Sequence, residues 1–141
     1  MSKFVASFKA GLDAAKQMER NKDEVTQTIR TISRQILEET EHKVFLGFIT
    51  KQVHYREETW LVAVSKNDDE GKDYKELAQW EPDINNGYPL IITIDHSSWH
   101  CSTAGEIEAA LSEIVQIPAI AVKFLDLMNF SGAETSEEEP D

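Results

Sequence analysis

The sequence predicts an α+β fold: a long N-terminal helix or helix pair, a small antiparallel three-stranded sheet, and C-terminal helices packed on that sheet. Three observations lead there: helical spacing over the opening residues, apolar runs separated by turn residues in the middle, and a helix-start signal near Thr103. The 141 residues, 40% hydrophobic and 28% charged, suit one domain. We assign it to residues 1–130, with a helical segment over 1–41, the sheet and C-terminal helices over 42–130, and a tail over 131–141.

The opening segment has the spacing of a long helix. Residues 3–41 contain no proline and one glycine, and their large apolar residues recur at intervals of three and four. A heptad seam follows, made of Phe4, Gly11, Met18, Val25 and Ile32 with Phe8, Ala15, Lys22, Ile29 and Ile36. The polar run over 19–24 allows either one helix or two. Such a seam predicts packing against another protomer or against a second element of the same chain.

The middle of the chain predicts three strands. The run KVFLGFITKQVHY, residues 43–55, is apolar on both faces and predicts a central strand. A polar turn over 56–58 and the run over 59–65 complete an antiparallel hairpin. Residues 66–72 predict a solvated loop, and residues 73–80 a short helix that buries Tyr74, Leu77 and Ala78. After a turn around Asn85, residues 88–95 form the third strand.

The C-terminal part predicts helices and a disordered tail. Thr103 and Glu106 have the spacing of a capping box, so a helix begins there, and Pro118 ends it. Residues 119–130 favour a second helix, although alternate apolar residues would also suit a strand. The tail over 131–141 has five acidic residues and no apolar residue larger than Ala133, so we expect disorder.

Residues 95–103, DHSSWHCST, are predicted to form a loop between the end of the third strand and the helix start, and they are the best candidate for chemistry. Asp95, His96, His100 and Cys101 are all residue types that coordinate zinc. Alternatively, Cys101 beside a helix N-terminus is a nucleophile, with His96 or His100 as its base. The third interpretation is structural: Cys101 is a small buried hydrophobe and the histidines are solvated. We favour the third, and therefore assign no catalytic residue, metal or cofactor.

The net charge and the absence of known motifs exclude several classes of function. A formal net charge of −12 argues against direct binding of nucleic acid, which needs clustered cations. The sequence has no phosphate-binding glycine motif and no common hydrolase motif. One cysteine favours a reducing compartment, and no run reaches the roughly 20 apolar residues of a membrane span. We therefore expect a cytoplasmic protein that does not bind membranes.

These observations predict a non-catalytic, self-associating protein-interaction module, most simply a homodimer. We expect its interface on the seam, at Phe4, Phe8, Met18, Val25, Ile29, Ile32 and Ile36. The acidic body predicts a basic protein partner, as an inhibitor or immunity-type protein would have, or a chaperone-like role. Two alternatives stay open: a small thiol- or metal-dependent enzyme using Asp95 to Cys101, and a structural component of a larger assembly.

Overall fold

The computed structural model describes residues 2–66 and 73–138, with side chains as far as Asn129. Eight elements follow in the order α1 (Lys3–Glu39), β1 (Val44–Val53), β2 (Arg56–Ser65), β3 (Tyr74–Asp83), β4 (Gly87–Ile94), β5 (Ser97–Cys101), α2 (Ala104–Val115) and α3 (Pro118–Glu138). The strands form an antiparallel sheet in the order β1-β2-β3-β4-β5. The α+β class and the long N-terminal helix are confirmed.

The predicted number of strands is wrong, because the sheet has five and not three. The residues expected to form a short helix over 73–80 belong to β3. A β-bulge opposite Leu61 and Val62 sends both Leu77 and Ala78 into the core. Two neighbouring inward side chains break the alternation of a strand and imitate helical spacing. The fifth strand, β5, lies in the segment that we expected to be a loop.

The position of the first strand also differs from the prediction, because β1 is an edge strand. Its outer side is covered in part by α1. Ser33 Oγ accepts a hydrogen bond from the Leu46 amide at 3.0 Å, and Thr40 Oγ1 accepts one from the Val44 amide at 3.1 Å. The hairpin between β1 and β2 turns at His54 and Tyr55, both at positive φ, and residues 56–58 are part of β2. Cover by a helix thus gives β1 the apolar pattern of a central strand.

One face of the sheet carries the core. The register places Leu46 beside Ala63, Leu61 beside Ala78, Trp80 beside Ile92 and Leu90 beside Cys101, and all eight are buried. Buried residues of α1, α2 and α3 join the same cluster. The three helices therefore pack on this face.

The two C-terminal helices follow the predicted signals. The Glu106 amide donates to Thr103 Oγ1 at 3.1 Å, and Glu106 Oε1 accepts from the Ser102 amide at 2.6 Å. The first bond is that of a capping box, whereas the glutamate bonds the amide one residue before the N-cap Thr103. Helix, and not strand, is confirmed after Pro118. The helix α3 includes residues 131–138 of the acidic tail. Residues 67–72 and 139–141 lie outside the described part of the chain. The predicted loop over 66–72 and the predicted disorder of the tail therefore stay predictions.

Candidate protein-interaction surfaces

Polar contacts fix the middle of α1 to the start of β4. Asn21 Nδ2 donates to Asn86 Oδ1 at 3.1 Å, and the Tyr88 hydroxyl donates to Glu24 Oε1 at 2.6 Å. Burial raises the pKa of Tyr88, and the hydrogen bond to Glu24 and its charge raise it further. The phenol therefore stays a proton donor to Glu24 over the ordinary pH range.

Gly87 brings the backbone of β4 against the backbone of α1. Its φ is +82°, and a Cβ placed on it would lie 3.1 Å from both the Cα and the N of Lys22. Glycine adopts this left-handed conformation without the steric cost that other residues incur. The contact needs glycine for both reasons, and it marks the point where α1 reaches the body of the protein.

Before this point, α1 projects as an exposed helix, which we call the arm (residues 3–20). Every side chain from Lys3 to Gln17 is exposed. At 1.5 Å per residue the arm is roughly 27 Å long. Phe4 and Phe8, 73% and 56% exposed, stack with their ring centroids 6.0 Å apart, and Val5 and Leu12 are exposed beside them. The arm thus presents an apolar stripe that the described residues of the chain do not cover.

The predicted interface residues therefore fall into two groups. Val25 and Ile29 are buried in the core, and Ile32 and Ile36 pack against it. Phe4 and Phe8 are exposed on the arm, and Met18 is half-buried at its base. The seam is continuous in the sequence, but the half after Lys22 packs on the chain's own sheet. The seam residues that are exposed to solvent all lie on the arm.

A groove of about 810 Å³ runs between α1 and the edge of β1. Its lining includes the cations Arg30, Arg34 and Lys66 and the apolar side chains of Ile29, Leu37 and Phe48. We call this the edge groove. The sequence pattern does not predict this groove. The spacing of Arg30 and Arg34 places them on one helix face, but the approach of Lys66 depends on the folded sheet.

The segment expected to carry chemistry is the β4–β5 hairpin. Asp95 and His96 form its two-residue turn, with Asp95 at φ +50°. His100 and Cys101 are neighbours in β5, so their side chains point to opposite faces of the sheet. His100 is exposed on the outer face, whereas Cys101 is 1% exposed in the core. The strand thus separates the thiol from the imidazole beside it.

The surroundings of Cys101 favour the neutral thiol. Burial raises the pKa of the Cys101 thiol, and the negative charge of Glu106 raises it further. The Sγ atom donates to the Glu106 backbone carbonyl at 3.5 Å. Both effects oppose the thiolate that a neighbouring helix N-terminus would favour. Among the described side chains, those of residues 2–66 and 73–129, no three His, Cys, Asp or Glu are grouped as metal ligands would be.

Within the same described ranges, no helix has both the length and the apolarity to cross a membrane. Comparisons of the chain with protein-family models, with curated proteins and with solved structures give no match.

Proposed function

We propose that this chain is a non-catalytic cytosolic protein-interaction module that self-associates through the arm. The observation that supports the proposal is the uncovered stripe of Phe4, Val5, Phe8 and Leu12 on a helix that projects from the body. Exposed apolar surface of this kind is typical of a protein-protein contact. A second copy supplies a helix of the same length and the same stripe, and such self-complementary contacts make closed dimers.

The order of large and small residues favours antiparallel pairing. Two aromatic residues, Phe4 and Phe8, precede two small ones, Gly11 and Ala15, along one side of the arm. When two arms run antiparallel, Phe4 lies opposite Ala15 of the partner subunit and Phe8 opposite Gly11 of the partner subunit. Each ring then meets a small residue, which lets the helices approach closely. Parallel arms would place ring against ring and small against small.

Electrostatics favour the same direction. The arm has four basic and two acidic residues, whereas the rest of the chain has ten basic and twenty-four acidic residues. In the antiparallel register the two bodies begin about 35 Å apart along the helix axis. That distance is several times the roughly 8 Å Debye length at physiological salt. Parallel arms would hold the two acidic bodies side by side, where they repel each other.

The exposed area indicates a dimer of moderate affinity. Taking about 200 Å² for a whole phenylalanine side chain, Phe4 and Phe8 leave roughly 250 Å² uncovered on each arm. Burying two such stripes contributes about 13 kcal/mol at about 25 cal/mol per Å². Association itself costs about 4–15 kcal/mol. The net contribution is therefore at most about 9 kcal/mol, so the dissociation constant is about 0.2 micromolar or weaker.

Light scattering coupled to size-exclusion chromatography, from about 1 to 200 micromolar, tests the proposal. Phe8→Asp should shift the protein to monomer, because it places a charge in the stripe. Leu125→Asp is the matched control, since Leu125 is 52% exposed but lies on α3. Ile29 and Ile32 are unsuitable for this test, because Ile29 is buried in the core and Ile32 packs against it. A parent protein that stays monomeric at 200 micromolar would contradict self-association.

Cysteine pairs test the direction of the arms. Mixed Phe8→Cys and Gly11→Cys proteins should form a disulfide-linked heterodimer under mild oxidation, while Gly11→Cys alone should link slowly. Buried Cys101 does not interfere in the folded state. Rapid linking of Gly11→Cys to itself, without the mixed product, would show that the register is wrong.

The acidic body supports a second proposal, that the module binds a basic protein. Outside the arm, acidic residues exceed basic residues by twenty-four to ten. Opposite charge accelerates association and makes the rate sensitive to salt. Partners recovered by pull-down should therefore be enriched in basic proteins, and their association should slow as salt increases. Partners without a charge bias would exclude this second role and leave self-association standing.

A further inference from the structure

The edge of β1 is covered by hydroxyl groups only over its first three residues. In an antiparallel pair, alternate residues point their amide and carbonyl groups away from the partner strand. On β1 the residues with outward backbone groups are Val44, Leu46, Phe48, Thr50 and Gln52. The backbone of Val44 bonds the Thr40 hydroxyl, and the backbone of Leu46 bonds the Ser33 hydroxyl. No described group bonds the backbone of Phe48, Thr50 or Gln52 on its outer side, and Thr50 and Gln52 are exposed. We call residues 48–52 the open edge.

The charge of the edge groove is opposite to that of the chain. Arg30 and Arg34 lie one turn apart on α1, and Lys66 follows β2 on the other side of the groove. None of the three makes an ion pair with a described residue. In a chain with a net charge of −12, three such cations beside one groove form a local site for carboxylates.

Apolar side chains complete the groove. Ile29 and Leu37 line its helix side, and Phe48, 43% exposed, lies where the groove meets the open edge. A small anion would bind the three cations but leave this apolar surface exposed to solvent. An extended peptide uses the open edge, the cations and the apolar lining together. Its backbone pairs with β1, and its alternate side chains reach the groove.

We propose that the open edge and the edge groove together bind an extended acidic segment of a partner protein. The segment adds as a sixth strand beside β1, hydrogen-bonded to Phe48, Thr50 and Gln52. Its carboxylates then reach Arg30, Arg34 and Lys66. This site is separate from the arm, so it binds whether the protein is monomeric or dimeric.

Fluorescence anisotropy with the full chain tests the site, using a labelled ten-residue peptide of alternating glutamate and valine. The same peptide with lysine in place of glutamate should not bind. Thr50→Pro should weaken binding at least tenfold, because proline removes an outward amide that β2 does not use. Thr50→Val is its matched control and should bind as the parent does. Circular dichroism checks the fold, and Gln52→Pro replaces Thr50→Pro should the latter not fold.

Charge reversal at the two arginines provides the second part of the experiment. Arg30→Glu with Arg34→Glu should weaken binding about tenfold, as expected for two exposed ion pairs turned repulsive. Lys9→Glu with Lys16→Glu changes the net charge equally but lies on the arm, so binding should not change. Three results would overturn the site: no binding at about 1 millimolar peptide, binding unaffected by both proline variants, or displacement of the peptide by an equally charged single-stranded DNA.

Discussion

Replacing Gly87 by alanine tests the contact that joins β4 to α1. The new Cβ would meet the Cα and N of Lys22 at 3.1 Å and the carbonyl carbon of Asn21 at 3.2 Å. All three are backbone atoms of a helix, so no side-chain rotation relieves the contact. In addition, a φ of +82° costs a residue with a Cβ about 1–2 kcal/mol.

The two effects set the expected magnitude. Forcing a methyl group into a filled space costs about 1–3 kcal/mol. Together with the backbone cost, we expect Gly87→Ala to lower the free energy of unfolding by roughly 3 kcal/mol. Urea unfolding followed by circular dichroism and tryptophan fluorescence measures this change, provided that the slope with urea stays the same.

Gly11 provides the matched control for this prediction. Nothing lies within 4 Å of a Cβ placed there, and the residue is inside a helix. Gly11→Ala should therefore leave stability unchanged or raise it by up to about 1 kcal/mol. The comparison belongs at concentrations below dimerisation, because Gly11 is part of the arm. A loss under about 0.5 kcal/mol in Gly87→Ala, which is ordinary for a surface change, would show that this contact does not hold α1.

Three further predictions concern buried polar groups. Because the pKa of Tyr88 is raised, the folded protein keeps the phenol proton where the unfolded chain loses it; the free energy of unfolding should therefore fall as pH rises above about 10, and less so in Tyr88→Phe. An equal pH dependence in both proteins would refute the raised pKa of the Tyr88 phenol. Ser33→Ala should cost about 1–3 kcal/mol in urea unfolding, because the Leu46 amide loses its partner; an unchanged midpoint would mean that water replaces the hydroxyl. Cys101 should react with a thiol reagent at pH 8 at least tenfold more slowly in the folded protein than in urea, and prompt labelling of folded protein would restore the thiol-enzyme alternative.

Local sequence patterns predicted the elements that depend on interactions between residues close in the sequence. The spacing of apolar residues predicted α1, and the Thr103 and Glu106 pair predicted the start of α2. The bulge in β3 could not be predicted, because it depends on the pairing of Leu77 and Ala78 with β2. The β5 strand did carry a signal, since alternate residues Trp99 and Cys101 face the core, but its polar composition outweighed that signal.

The candidate surfaces were predicted only in part. The repeat predicted the helix, which is confirmed, but nothing in it indicates that packing on the sheet stops near Lys22, so four of the seven predicted interface residues lie in or against the core. That boundary depends on Gly87 and Asn86, more than sixty residues away in the sequence. The separation of His100 from Cys101 likewise needed the assignment of β5 as a strand. The exposure of the arm and the separation of Cys101 from His100 both depend on tertiary contacts, which a sequence pattern does not contain.

The continuity of α1 across its contact with β4 has a thermodynamic consequence for the arm. A helix of about 18 residues alone in water is marginal, because forming its first turn is costly. Here the turns of α1 packed on the sheet supply that first turn, and the exposed residues only extend it. A synthetic peptide of residues 1–20 should therefore be largely unstructured, although the same residues are helical in the whole protein. Partner binding then incurs little further ordering entropy, which the free peptide would have to lose.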